Sequence, residues 1–169
     1  ERVQTPVDSY WLFTIGEEVG VGASAVLTPE IASLVAVDNG TTALGQNSSE
    51  FGVTIAMADQ TGPFDWHLSR KLVQLARDHD IPHQKDVFRY YRSDSASALE
   101  AGADIRTALV AFGIDASHGY ERIHESALAD LCRLLIAYAE SDVEIGRDAR
   151  PISSAKGFTH QPVDDGRSG

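Results

Sequence analysis

The chain has 169 residues, a formal net charge of −11 and a hydrophobic share of 43%. A length of this order allows one domain with a substantial core, and the composition is typical of a globular protein rather than a disordered one. The negative charge makes nucleic acid and anionic membranes poor partners, because binding to phosphate requires a basic face.

Three strands are predicted in the first half of the chain. Residues 10–15 are aromatic and β-branched without helical spacing, which predicts a buried strand. Residues 31–37 predict a second strand, ended by the turn signal Asp38-Asn-Gly40. Residues 52–58 predict a third strand, and a polar loop at residues 41–51 separates it from the second.

The second half of the chain predicts helices that alternate with strands. Residues 83–91 and 107–112 predict strands, and residues 113–120 a loop. Residues 93–101 predict a short helix that Ser93 or Asp94 caps and Gly102 ends. Two longer helices are predicted by apolar side chains at helical spacing: Leu68, Leu72, Leu75 and Ala76 within residues 64–79, and Leu128, Leu131, Leu135 and Tyr138 near the end.

These elements predict a layered α/β domain, a sheet flanked by helices, over residues 1–140. Residues 141–169 are charged and contain Pro, Gly and Ser, which predicts a mobile tail. Because the chain does not begin with Met and starts only nine residues before a predicted strand, we interpret it as the C-terminal part of a longer protein. No basic-then-apolar signal peptide opens it.

Cys132 is the only cysteine of the chain. A single cysteine excludes an internal disulfide and favours a reducing compartment, which predicts a cytoplasmic protein. Cys132 lies within the last predicted helix, and we expect it to pack on the apolar face rather than act as a nucleophile.

Two adjacent carboxylates, Glu17 and Glu18, follow the first predicted strand and open directly into a glycine-rich turn. Neighbouring side chains cannot share one direction, so one carboxylate can bind a metal while the other faces the water that the metal polarises. Taken alone, such a pair is also common on solvated surfaces.

Asp38 and the segment Ser117-His118-Gly119 also fall at ends of predicted strands. That edge of an open α/β sheet is where ligands usually bind, and carboxylates with an imidazole suit zinc, cobalt or manganese. Each residue has a simpler explanation by itself: Asp38 could cap the Asn-Gly turn, and His118 could hydrogen-bond within its loop.

Four segments, taken in order, resemble the M42 metallo-aminopeptidase family. They are Phe-Thr-Ile-Gly-Glu-Glu-Val-Gly-Val-Gly-Ala at residues 13–23, Leu-Val-Ala-Val-Asp at residues 34–38, Arg-Ser-Asp-Ser-Ala at residues 92–96, and Ala-Ser-His at residues 116–118. The resemblance covers about residues 8–140. Residues 46–52, 86–94 and 115–122 are similar to a bacterial subgroup associated with an osmoprotectant dipeptide, N-acetylglutaminylglutamine amide.

The resemblance implies a zinc-peptidase-like catalytic domain that is incomplete at its N-terminal side. It implies two divalent metal ions, with Glu18 and His118 as ligands of one and Asp38 as ligand of the other. Glu17 would be the general base that deprotonates the metal-bound water. Two further protein ligands would lie upstream of this chain. A peptide or small dipeptide-like substrate and a homo-oligomer are implied as well.

The segment at residues 91–94, Tyr-Arg-Ser-Asp, stands where the family has Gly-Gly-Thr-Asp. Asp94 would then lie near the active centre, although both glycines of the pattern are replaced. Arg89 and Arg92 form a basic, aromatic patch with the tyrosines between them. We predict that this patch is a solvated strand face, and contact with a substrate carboxylate or a neighbouring subunit is the alternative.

Alternative interpretations stay open at this point. His124 competes with His118 as a ligand, but we predict that it starts the last helix. A non-catalytic α/β fragment or interaction module would keep the fold without a complete metal centre. A glycosidase pair formed by Glu17 and Asp38 is disfavoured, because no aromatic sugar-binding cluster is evident beyond Tyr10 and Trp11.

Overall fold

The computed structural model of the protein describes residues 3–143. The predicted tail at residues 141–169 lies almost wholly outside the described residues. The strands are β1 Ser33–Thr41, β2 Val53–Asp59, β3 Gly62–Pro63, β4 His83–Val87, β5 Arg106–Asp115 and β6 Arg122–Ile123. The α-helices are α1 Trp66–Asp78, α2 Asp94–Glu100 and α3 Glu125–Glu140, and a 3-10 helix spans Glu17–Val19.

The six strands form one mixed sheet with β5 at its centre. Strand β5 pairs in parallel with β1 and antiparallel with β2, and β2 pairs in parallel with β4. The short strand β3 pairs antiparallel with β2, and the short strand β6 pairs antiparallel with β5. This sheet with packed helices confirms the predicted layered α/β class.

The hydrophobic core lies between the sheet and helices α1 and α3. Ile55 and Val110 point into it from the sheet and are fully buried, as are Leu72 of α1 and Leu134 of α3. Side chains alternate between the two faces of a strand, so Ala56 and its neighbours build a smaller apolar cluster on the opposite face. The larger cluster is the main source of stability, since each fully buried Leu or Ile contributes about 1.5–3 kcal/mol.

The predicted helix at residues 64–79 is confirmed as α1. The Asp65 side chain accepts a hydrogen bond from the backbone N–H of Leu68 at 2.8 Å, which places the beginning of the helix at Trp66. No helix among residues 3–143 is long and apolar enough to cross a membrane.

The predicted strand at residues 10–15 is wrong. The segment is irregular, and its Trp11, Phe13 and Ile15 side chains are exposed, with 87% of the Phe13 surface accessible. A strand needs a neighbour to satisfy its backbone hydrogen bonds, and within residues 3–143 this segment has no ladder partner. Aromatic and β-branched composition alone therefore overpredicts a strand here.

The predicted turn after residue 37 is also wrong, because β1 continues through Thr41 in unbroken register with β5. Position 40 requires glycine because there is little space beside the strand, and not because the chain turns there. A Cβ atom at this position would lie 2.6 Å from the Oγ atom of Ser48. Asp38 consequently lies within a strand and not at its end.

The loop predicted at residues 113–120 begins later, since β5 runs to Asp115. Gly113 is required there because an added Cβ would lie 1.8 Å from the backbone oxygen of Ser49. The strand predicted at residues 83–91 is shorter than expected and ends at Val87, which leaves residues 88–93 as a loop.

Cys132 is exposed, so the prediction that it packs on the apolar face of the last helix is wrong. Leu128 is 41% exposed as well. The buried stripe of α3 consists of Ala127, Leu131, Leu134 and Ala137, which recur at the helical period. The predicted Leu135 and Tyr138 are partly buried and pack against the same core. Cys132 lies to one side of this stripe.

Candidate metal centre

The structure brings the four predicted site residues to one cleft. Glu17, Glu18, Asp38 and His118 all line this cleft, whose volume is about 230 Å³. They come from the 3-10 helix, from β1 and from the loop after β5, so only the folded sheet assembles them. The roles assigned to them by resemblance stay predictions.

Glu17 and Glu18 occupy the first two positions of the 3-10 helix, not a strand end. Gly20 closes this turn in the left-handed conformation, at φ 75°, and its N–H donates to the carbonyl of Glu17. In a 3-10 helix successive side chains are about 120° apart. The two carboxylates therefore diverge, with Glu17 half-buried and Glu18 exposed.

His118 is held in an unusual backbone conformation beside Glu18. Its φ of 63° is in the left-handed region, as is that of Ala116 at 56°. The Nε2 atom of His118 lies 3.6 Å from Oε2 of Glu18. Non-glycine residues in this region are uncommon and cluster at functional sites, so the strained loop supports a role for the imidazole.

Glu121 fixes the loop of His118, because its Oε1 atom accepts a hydrogen bond of 2.8 Å from the His118 backbone N–H. Glu121 therefore positions the main chain of this loop. Arg122 forms ion pairs with Glu50 at 2.7 Å and Asp115 at 3.4 Å.

The carboxylates of the cleft repel one another. Burial raises the pKa of Asp38, and the nearby charges of Glu18 and Asp94 raise it further, although the Asn39 N–H, which donates to Oδ1 at 2.7 Å, opposes this rise. Burial also raises the pKa of Glu17, with Asp38 and Glu18 as the next causes. His118 lowers both pKa values, but the cleft retains a surplus of negative charge that a divalent cation would neutralise.

Asp94 approaches the same cleft from the start of α2. Its Oδ2 atom accepts a hydrogen bond of 2.5 Å from the Thr14 hydroxyl, and its charge raises the pKa of Glu17. A Cβ atom at Gly22 would lie 2.1 Å from Oδ1 of Asp94, so only glycine lets the turn pass this carboxylate. Sequence reasoning missed Thr14 and Gly22, although the glycine spacing after Glu18 was the available signal.

The loop at residues 88–93 also lines the cleft. Tyr90, Tyr91 and Arg92 contribute to its wall, together with the buried Asp59 of β2. The prediction of a strand for this patch is wrong, because β4 ends at Val87, whereas the predicted exposure of its arginines and tyrosines is confirmed. Asp59 was missed, although it follows a predicted strand directly, which is the signal that pointed to Asp38.

The other histidines among residues 3–143 do not line the cleft. His124 is the N-cap of α3, accepting a hydrogen bond from the Ser126 N–H, and its ring lies 4.7 Å from that of Phe51. The prediction that His124 starts the helix is confirmed. The Nδ1 atom of His83 lies 2.9 Å from the carbonyl oxygen of Ile81.

The donor set fits a divalent transition metal in its chemistry. A carboxylate and an imidazole, Glu18 and His118, are adjacent, and Asp38 adds a half-buried carboxylate in the same cleft. Within residues 3–143, however, no three His, Cys, Asp or Glu side chains are grouped closely enough to hold a metal ion by themselves.

Known proteins support this assignment of the fold. The Pyrococcus horikoshii TET1 peptidase superposes with a TM-score of 0.68 at 23% identity, over 76% of this chain and 40% of that one. A TET aminopeptidase from Thaumarchaeota archaeon SCGC AB-539-E09 superposes with a TM-score of 0.64 at 18% identity, over 78% and 40%. At these identities the likeness shows the fold.

Sequence comparison is more specific. YhfE of Bacillus subtilis (strain 168), named as an aminopeptidase, is 38% identical over 141 residues, which are 83% of this chain and 41% of that protein. The chain thus spans about two fifths of the length of the relatives it matches. A family model described as M42 glutamyl aminopeptidase matches residues 1–134. Since that match covers most of the sequence, the chain belongs to the M42 peptidase family.

Proposed function

We propose that the intact protein carrying this chain is a two-metal aminopeptidase that hydrolyses the first peptide bond of peptides. The observation that supports it most is the convergence of Glu17, Glu18, Asp38 and His118 in one cleft. The resemblance to the family assigns site roles to these same four residues. Their assembly from three separate elements is not expected of a solvated surface.

The M42 family is metal-dependent, and Glu18 and His118 would hold one ion while Asp38 holds the other. Two further protein ligands are expected outside this chain. Zinc, cobalt and manganese all suit carboxylate and imidazole donors. When bound, such an ion lowers the pKa of a coordinated water from 15.7 towards about 7.

Glu17 is the proposed general base. Its raised pKa increases the proton affinity of the carboxylate, which suits a group that must accept a proton from the attacking water near neutral pH. The same carboxyl group can then donate that proton to the leaving amine. Asp94 assists by holding the segment around Thr14 against α2.

The test compares metal content and peptide hydrolysis in the intact protein. We expect His118→Ala to lose metal and activity together. His124→Ala is the matched control, because it removes an imidazole six residues away that does not line the cleft, and it should keep both. The reverse result in metal analysis would contradict the ligand assignment.

A non-catalytic module is the second candidate. It is favoured by one observation, the incomplete ligand grouping within residues 3–143. Absence of stoichiometric metal and of peptide hydrolysis in the intact wild-type protein would support this candidate against the first.

A homo-oligomer is proposed from the neighbouring structures, since the Pyrococcus horikoshii TET1 peptidase can assemble into a tetrahedron or a large octahedral shell. The exposed apolar side chains of Trp11, Phe13 and Ile15 offer surface for such contacts. A cytoplasmic location is proposed from the single cysteine. The similarity to the osmoprotectant-associated subgroup stays a prediction.

A further inference from the structure

The wall of the cleft carries charges of both signs. Glu17, Glu18, Asp38 and Asp59 supply carboxylates, and Arg92 is the only lining residue in the described part of the chain with a permanent positive charge. We propose that Arg92 binds the free α-carboxylate of a short peptide, so that the protein prefers dipeptides with an unblocked C-terminus. This inference rests on the proposed aminopeptidase function.

The backbone around Arg92 is fixed to the sheet on both sides. The Gln60 N–H donates to the carbonyl of Tyr91 at 2.9 Å, and the Ser93 N–H donates to Oδ2 of Asp59 at 3.4 Å. Asp59 is itself anchored, since its Oδ1 accepts from the Thr61 N–H at 2.8 Å. The guanidinium thus extends from a positioned segment, which reduces the entropy lost when it binds a ligand.

Arg92 keeps hydrogen-bonding capacity for a ligand. Its Nη2 atom contacts Oε2 of Glu100 at 2.6 Å, in an ion pair whose side chains are 36% and 58% exposed. Exposed pairs of this kind are weak, and a guanidinium carries five N–H donors in a fork that matches a carboxylate. A substrate carboxylate can therefore be bound beside Glu100 or in its place.

Charge indicates a short peptide with two free termini. The cationic amino terminus suits the carboxylates of the wall, and the anionic C-terminus suits Arg92. A peptide that contacts both within one cleft has its two termini close together, as in a dipeptide.

The first experiment needs no substitution. The intact, metal-loaded protein is assayed with Ala-Ala, with the amide Ala-Ala-NH2 and with Ala-Ala-Ala-Ala. We expect KM to be about tenfold or more lower for Ala-Ala than for its amide, as for loss of a charged hydrogen-bonded pair. Equal KM values for the two would overturn the inference and leave the aminopeptidase function intact.

The second experiment assigns the effect to Arg92. Arg92→Gln should raise KM for Ala-Ala about tenfold or more, with kcat changed little. Its effect on the amide should be much smaller, and Arg92→Lys should restore part of the affinity. Arg89→Gln is the control, because Arg89 is exposed and does not line the cleft. An equal loss for Ala-Ala and its amide would contradict the inference.

A third substrate, Glu-Ala-NH2, tests whether Arg92 recognises the C-terminal carboxylate or an acidic side chain. If Arg92 recognises an acidic side chain instead, Arg92→Gln will raise KM for Glu-Ala-NH2, and that result would overturn recognition of the terminus. Absence of hydrolysis of every peptide by the wild-type protein would refute the proposed function itself, and the inference with it.

Discussion

The two sides of the sheet differ in what their residues do. On the side of α1 and α3, side chains such as Ile55 and Leu134 are fully buried and apolar, so they stabilise the fold. At the cleft, Glu17 and Asp38 are half-buried, carry raised pKa values and face like charges, so they destabilise the folded state. Apolar burial therefore stabilises the fold on the side of α1 and α3, whereas the cleft holds like charges close together, an arrangement suited to binding a cation.

The largest effect is expected at the cleft. Glu17→Gln keeps the size of the side chain but removes its basicity, so we expect turnover to fall about 10²–10⁴-fold. Metal content should be retained, because Glu17 is not a proposed ligand. Steady-state kinetics with metal analysis of the intact protein would measure both, and substantial residual hydrolysis would contradict the role of Glu17.

A matched pair of leucines tests the packed side. Leu134→Ala should lower the free energy of unfolding by about 2–5 kcal/mol, because Leu134 is fully buried. Leu128→Ala, on the same helix but 41% exposed, should cost much less. Chemical denaturation measures both, and metal content per folded molecule should stay the same. Equal costs would contradict the assigned face of α3.

The close approach of the loop at residues 42–52 to the sheet can be tested at glycines. Gly113→Ala should destabilise the protein by about 3 kcal/mol, because its Cβ would meet the backbone oxygen of Ser49. Gly45→Ala is the comparison, since its Cβ would meet no atom within 4 Å and its φ of 88° alone is unfavourable. It should cost only about 1–2 kcal/mol. Thermal denaturation would compare the two variants.

The smallest effect is expected in the pH dependence of stability without metal. Burial raises the pKa of Asp38 above its ordinary value of 3.8, so the folded state holds more protons than the unfolded state. Stability should therefore fall as pH rises from about 3.8 through the raised pKa of the folded state, and stay constant above it.

Asp38→Asn should flatten this part of the profile in chelator-treated protein and increase stability at neutral pH. Asp104→Asn removes the same charge from an exposed position outside the cleft and serves as the control. A steeper fall in the Asp38→Asn variant would contradict the repulsion inferred among the carboxylates.

Periodic patterns predicted much of the fold. The spacing of Leu68, Leu72 and Ala76 predicted α1, and the composition of residues 52–58 predicted β2, because burial of a stripe or a face is encoded locally. Cys132 was misplaced because a helix rotated by a fraction of a turn buries a different stripe. Residues 10–15 were misassigned because strand formation depends on a partner strand elsewhere.

The residues of the candidate site were predicted better than the backbone geometry that presents them. Motif order named Glu17, Glu18, Asp38 and His118, and all four line one cleft. The backbone that presents them was not predicted: Asp38 lies within a strand, and the glutamates lie in a 3-10 helix. Glycines at 40 and 113 look like turn signals, but here they permit close approach of neighbouring chain segments, which depends on tertiary contacts.

Anomalous X-ray diffraction from crystals of the intact protein, recorded at the absorption edges of zinc, cobalt and manganese, tests the central claim most directly. We expect one metal peak in contact with Glu18 and His118 and a second in contact with Asp38. A peak at His124 or elsewhere, with none in the cleft, would contradict it.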